Sequence, residues 1–174
     1  VNFYPKSGQN FWIQRIHPFV FARFARDRIQ EGDEKFLNTG LRVNFTRQGF
    51  LNLFSSRGRE PWRGTSYDSG RDFGVYAEAQ AFRWLRVYGE YNRGPSIFYS
   101  LTDPFQGRSR NLSGGVTLQP NQNLSQSVDL DNVRFENAAS GEQVYDVTIV
   151  NARTTYQFNK HFLVRGLAQY DSSA

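Results

Sequence analysis

Residues 144–171, VYDVTIVNARTTYQFNKHFLVRGLAQYD, decide the fold. The stretch reads as two strands joined by a tight turn at Asn159, Lys160 and His161. Numbered outward from Lys160, Phe158 falls opposite Phe162, Tyr156 opposite Val164, Thr154 opposite Gly166, Ala152 opposite Ala168 and Val150 opposite Tyr170. None of these residues is charged. The other parity sets Gln157 against Leu163, Thr155 against Arg165, Arg153 against Leu167 and Asn151 against Gln169. Strand side chains alternate faces with period two, so one face of this hairpin is apolar and the other mostly polar. Each strand, at about 10 residues, is long enough to cross a bilayer when tilted. The hairpin therefore predicts one unit of an antiparallel, up-and-down transmembrane β-barrel.

The same alternation recurs through the chain. Over residues 36–46, Leu37, Thr39, Leu41, Val43 and Phe45 share a face, and residues 50–56 continue it with Leu51 and Leu53. Phe50 and Phe54 fall on the polar face and break the pattern. Residues 73–82 and 84–93 form a second clear hairpin turning at Arg83, whose polar parity sets Gln80 against Arg86 and Glu78 against Tyr88. Residues 111–119 alternate again, the turn 120–123 (PNQN) follows, and residues 124–136 carry Val128 and Leu130 opposite Ser125, Ser127, Asp129 and Asp131. The parity shifts before Val133 and Phe135, which a bulge or emergence above a membrane would produce. Near the N-terminus, His17-Pro18 interrupts an aromatic segment; proline lacks the ladder donor, so the first strand is expected from about Phe19.

Between these segments the expected connections run long (28–35), short (47–49), long (57–71), short (83), long (94–108), short (120–123), medium (137–143) and short (159–161). Alternation of short and long connections is the pattern of transmembrane barrels. Nine strands result. Single-chain bacterial barrels have even strand numbers, so the 174 residues are expected to form one domain that is a portion of a larger barrel, incomplete at both ends.

The bulk properties fit that reading. Mean hydropathy is −0.62 and no run of about 18 apolar residues occurs, which argues against membrane helices but not against strands, whose alternation averages out. No secretory signal is visible at Val1. All but three of the 21 basic residues are arginine, suited to bidentate contacts with phosphate or carboxylate. Lipopolysaccharide, nucleic acid and acidic solutes fit that bias equally, as does plain genomic base composition. With no Cys there is neither a disulfide framework nor a thiolate metal site.

Two segments, SGGVTLQPN at 113–121 and TYQFNKHFLVR at 155–165 continuing to Gln169-Tyr170-Asp171, resemble the C-terminal barrel of a family of large Gram-negative outer-membrane proteins of unassigned function. Those proteins carry a carbohydrate-binding-like β-sandwich ahead of the barrel, and the likeness lies mainly in residues 109–171. It implies an outer-membrane location and a further hairpin after Asp171. The sandwich has no counterpart here, so no glycan-binding role follows, and the family brings no catalytic residues.

Glu78, Arg86, Glu90, Asp129, Asp131, Arg153 and Arg165 are expected to face the lumen, either as a solute-selecting eyelet or as a polar filling of a closed barrel. Phe45, Tyr156, Phe158 and Phe162, with Phe82 and Trp84, lie beside short turns as an interfacial aromatic girdle should; ordinary hairpin packing is the other reading. Asp27, Glu31, Asp33 and Glu34 lack the spacing of a calcium loop. His17 and His161 are isolated, and no serine lies in a G-x-S-x-G context, so no catalytic residue, metal or cofactor is assigned.

The expected function is that of an integral protein of the bacterial outer membrane, a porin-like passive channel or surface scaffold without catalysis. Its partners would be the bilayer, lipopolysaccharide and other outer-membrane or periplasmic chains, not nucleic acid. The alternative is a soluble all-β module that binds glycan or nucleic acid through arginine and aromatic residues, which needs a second sheet over the apolar faces.

Overall fold

The computed structural model describes residues 2–5, 12–29, 32–46, 48–62 and 64–173 (backbone only at 69). They form an all-β antiparallel meander: β1 (Ile13–Asp27), β2 (Gly32–Phe45), β3 (Phe50–Trp62), β4 (Thr65–Phe82), β5 (Leu85–Phe98), β6 (Phe105–Leu118), β7 (Leu124–Asn137), β8 (Gln143–Gln157) and β9 (Leu163–Asp171). The nine strands lie in sequence order in one sheet, and Phe3 adds a tenth, single-residue partner beside Ile16 on the free side of β1. The sheet is open: β1 and β9 do not pair. All extensive contacts join strands adjacent in sequence, so the described residues make a single layer.

The C-terminal hairpin adopts the register read from its sequence, Val150 opposite Tyr170 through Gln157 opposite Leu163. Its turn is held by Asn159, whose Oδ1 accepts from the amides of His161 at 2.8 Å and Phe162 at 3.0 Å. Asn121 does the same for Asn123 and Leu124, both at 2.9 Å. These are Asx turns, in which a short side chain replaces a backbone acceptor. The β4–β5 register likewise sets Gln80 opposite Arg86 and Glu78 opposite Tyr88.

The expected long loops are the main correction. Residues 57–71 are the upper half of a β3–β4 hairpin: Arg57 pairs with Arg71 and Trp62 with Thr65, around a tip where Gly64 takes φ +76°. Residues 32–35 and 94–98 also belong to strands, as do 105–108. The Gly, Pro and Ser content of 57–71 is accommodated by a bulge after Gly58 and a positive φ at Gly70, so composition misled where cross-strand pairing prevailed. The connections are all short, and what differs between the two edges is how far the hairpins run: β3–β4 continues to Trp62–Thr65 and β5–β6 to Phe98–Phe105, whereas β2–β3 turns after Asn44–Phe50 and β4–β5 after Phe82–Leu85. The strict long-and-short loop argument does not hold.

Two further expectations change. β1 runs straight through Pro18, which lies opposite Leu41. Ile16 directs its N–H and C=O to Phe3 on the outer side (2.9 and 2.8 Å), so Pro18, two residues on, also turns its nitrogen outward and costs β2 no hydrogen bond. In β7 the register with β6 is unbroken from Gln126 to Asn137, so no bulge precedes Val133 and Phe135. The turn residue at 47 lies outside the described residues.

Candidate functional site

Following the register across the sheet assembles its two faces. One face carries the row Val43, Leu51, Ala77, Gly89, Gly114, Leu130, Val150, Tyr170 across eight strands. Beside it run Ala79, Val87, Val116, Val128, Ala152, Ala168 and, on the other side, Leu41, Leu53, Val75, Tyr91, Leu112. These three rows contain no charge. The opposite face carries Phe50, Glu78, Tyr88, Gly115, Asp129, Asn151, Gln169 and a neighbouring row of Asn52, Tyr76, Glu90, Ser113, Asp131, Ile149.

Along β7 exposure runs opposite to that of a water-facing sheet. In β7 the apolar Val128 and Leu130 are 45% and 38% exposed, while Ser127, Asp129 and Asp131 between them are partly covered. On that polar face, side chains of neighbouring strands hydrogen-bond to one another. Arg86 donates to Glu78 Oε1 from Nε (3.0 Å) and Nη2 (2.5 Å), and Tyr76 donates to Glu78 Oε2 at 2.7 Å. Tyr88 reaches over Gly115, from β5 to β7, to donate to Asp129 Oδ1 at 2.9 Å. A Cβ on Gly115 would collide with both Asp129 and Tyr88. Asn92 donates to Glu90 at 2.5 Å.

All seven expected lumen residues, Glu78, Arg86, Glu90, Asp129, Asp131, Arg153 and Arg165, fall on this polar face by register. The structure brings Glu78 to Arg86, but Arg153 and Arg165 stand apart from them on the last two strands. Tyr76, Tyr88 and Asn92 share the polar parity of β4 and β5 in the sequence but are not among the seven residues expected to face a lumen, although the Glu78–Tyr88 register pointed at Tyr88. Phe50 and Phe54 gain an explanation. Arg42 lies over the Phe50 ring at 4.0 Å, a cation–π contact, and Phe54 covers the space left by Gly74.

The aromatic residues beside the short turns group along one edge. Tyr156 meets Phe158 edge-on at 4.7 Å, Phe158 meets Phe162 at 5.2 Å, Phe82 stacks on Trp84 at 5.3 Å and Phe45 on Trp12 at 5.1 Å. Most of these rings are exposed.

Toward the other edge the faces exchange character. Arg93, Arg110 and Arg134 lie opposite one another on three consecutive strands, on the face that is apolar two residues below. The face behind them carries Val133 opposite Val147 and Phe135 opposite Tyr145. Phe135, 2% exposed, packs there against Phe98, Phe105 and Tyr145 at centroid distances of 5.9, 6.1 and 5.5 Å. This exchange is the parity shift visible in the sequence. Above it Tyr99 donates to Glu60 at 2.8 Å and meets Trp62 at 4.9 Å, tying the β3–β4 and β5–β6 hairpins together.

Among the described residues no three His, Cys, Asp or Glu side chains gather as a metal site. Glu34 pairs with Arg23, and Asp27 accepts from the Ile29 amide at 2.8 Å; Glu31 lies outside the described residues. His17 sits opposite Arg42 and His161 in the β8–β9 turn, far apart in the sheet order. A scan against protein-family models and searches of curated proteins and of solved structures each found no match.

Proposed function

We propose that this chain is a wall segment of a bacterial outer-membrane β-barrel, its apolar rows facing hydrocarbon and its Glu78–Asp129 face lining a lumen. The observation that carries the reading is the inside-out exposure. Val87, Leu112, Val128, Leu130 and Tyr170 of the uncharged rows stand exposed, most of their neighbours are half-exposed and only Val43 is buried, with no second layer among the described residues. Glu78, Tyr88, Asp129 and Asp131 of the polar rows are instead partly covered, the first three by hydrogen bonds. A soluble sheet inverts this, because burying the apolar face is its main source of stability. A soluble glycan- or nucleic-acid-binding module would need a cover that the described residues do not supply. The exposed aromatic edge supports the same reading as an interfacial girdle.

In hydrocarbon every strand edge must be satisfied, so the open edges at β1 and β9 must pair with strands, those of a second copy of this chain included, to close the wall. The function is that of a porin-like channel or scaffold, with Glu78–Arg86 and Tyr88–Asp129 as fixed polar contacts at the lumen surface. On this reading the likeness of residues 109–171 to the barrels of large Gram-negative outer-membrane proteins is one of fold and location. Unheated electrophoresis after refolding into detergent tests it. A compact species that shifts on boiling is expected, and a monodisperse detergent-free monomer would overturn it.

A further inference from the structure

The register places six arginines, Arg57, Arg71, Arg93, Arg108, Arg110 and Arg134, in a band on the apolar face directly beyond its uncharged rows. Arg57 is opposite Arg71, and Arg93, Arg110 and Arg134 form a like-charge ladder over three strands. Directly opposed like charges destabilise a sheet, so an unoccupied ladder works against the fold. The protein compensates little. Arg134 pairs with Glu136 at 2.8 Å, Glu136 is also the residue opposite Arg108, and Arg110 donates to Asn132 at 3.2 Å. Arg57, Arg71, Arg93 and Arg108 have no ion pair among the described residues, and the buried Nε atoms of Arg110 and Arg134 have no acceptor. The band lines two adjoining clefts. One, of about 550 Å³, lies between Arg71, Arg93 and Arg108 with Phe73 and Tyr91 at its apolar side; the other, of about 150 Å³, is bounded by Arg93, Arg108, Arg110 and Arg134 together with Ser109 and one carboxylate, Glu136.

We infer that this band binds the phosphate groups of an anionic glycolipid headgroup in the outer leaflet, of the lipid A type. The inference rests on the membrane reading above. Guanidinium forks match phosphate oxygens bidentately, and charge-assisted bonds of this kind are the strong ones. A lipid is favoured over a dissolved phosphate by position. The tyrosine and phenylalanine at the foot of the band, and the uncharged rows below, continue where acyl chains would run. Phosphates bridging the ladder also supply the acceptors the sheet lacks.

The test inserts the full chain into phosphatidylcholine vesicles and titrates them with lipid A, comparing it with Arg93→Gln/Arg110→Gln/Arg134→Gln and with Arg153→Gln/Arg165→Gln on the other face. Gel mobility before and after boiling establishes that each variant has folded. The triple variant is expected to lose affinity for lipid A by about tenfold or more, the loss of roughly one charge-assisted hydrogen bond, and the double variant to keep it. Equal affinity in the wild type and the triple variant would overturn the inference. So would displacement of lipid A by equimolar inorganic phosphate, which would mark a solute site. Insertion without any response to lipid A sinks the band alone; failure to insert at all sinks the membrane reading with it.

Discussion

At the residue scale, the polar face depends on single side chains that span strands. Tyr88 crosses Gly115 to reach Asp129, which only a glycine permits. Tyr88→Phe should cost about 1–3 kcal/mol, because it leaves a partly covered carboxylate without a donor. The adjacent glycines separate that contact from general sheet propensity. Gly115→Ala forces Tyr88 and Asp129 apart and should destabilise by a similar amount, whereas Gly114→Ala, on the open apolar face where only the Tyr88 carbonyl lies near (3.5 Å), should be neutral within about 0.5 kcal/mol. Urea midpoints of the three variants in the same vesicles check both expectations. A Gly114→Ala cost equal to that of Gly115→Ala would remove the cross-strand contact as the explanation.

At the element scale, each strand is a two-sided ribbon, and on the membrane reading its two sides meet different solvents. Val150 and Asn151 are neighbours on β8, one in the apolar row and one opposite Asp129. Val150→Arg should cost about 2–4 kcal/mol if that row lies near the bilayer midplane, and Asn151→Arg should stay within about 0.5 kcal/mol. Equal costs, measured by unfolding from vesicles, would mean the faces are not differently solvated.

This is also the scale at which the sequence was most readable. Period-two alternation gave the β8–β9 and β4–β5 registers residue by residue, because a one-residue slip would move every side chain to the wrong face. It failed where both faces become polar or aromatic. Residues 57–71 and 94–108 read as loops because Gly, Pro and Arg hide any alternation, and pairing there is set by the hairpin below. The Phe98–Phe105–Phe135–Tyr145 cluster was hidden for the same reason: its members come from four strands, and only Phe135 announced itself as a change of parity. The polar face was legible as a set of residues, but its contacts were not, since Tyr88 and Asp129 lie 41 residues apart and meet over an intervening strand.

At the scale of the whole molecule, the sheet has a free edge at β9, where eight of nine residues are exposed. The β8 pairing turns the amides of Val164, Gly166 and Ala168 inward and those of Leu163, Arg165, Leu167 and Gln169 toward that edge. With that edge open, the second set should exchange hydrogen faster than the first. In bilayers the difference should vanish, as a partner strand takes up the edge; its persistence there would mean that the wall does not close, which hydrocarbon does not allow.

The central claim is that the uncharged rows face lipid, and β7 tests it most directly. The chain has no cysteine, so single cysteines at positions 125–135 can each carry a nitroxide without background. In bilayers the account predicts period-two alternation: Gln126, Val128 and Leu130 relaxed by oxygen dissolved in lipid, and Ser125, Ser127, Asp129 and Asp131 by a water-soluble nickel chelate. At Arg134 the preference should turn from oxygen to the chelate. Labels at 126, 128 and 130 that are shielded from both reagents, or relaxed chiefly by the chelate, would contradict it.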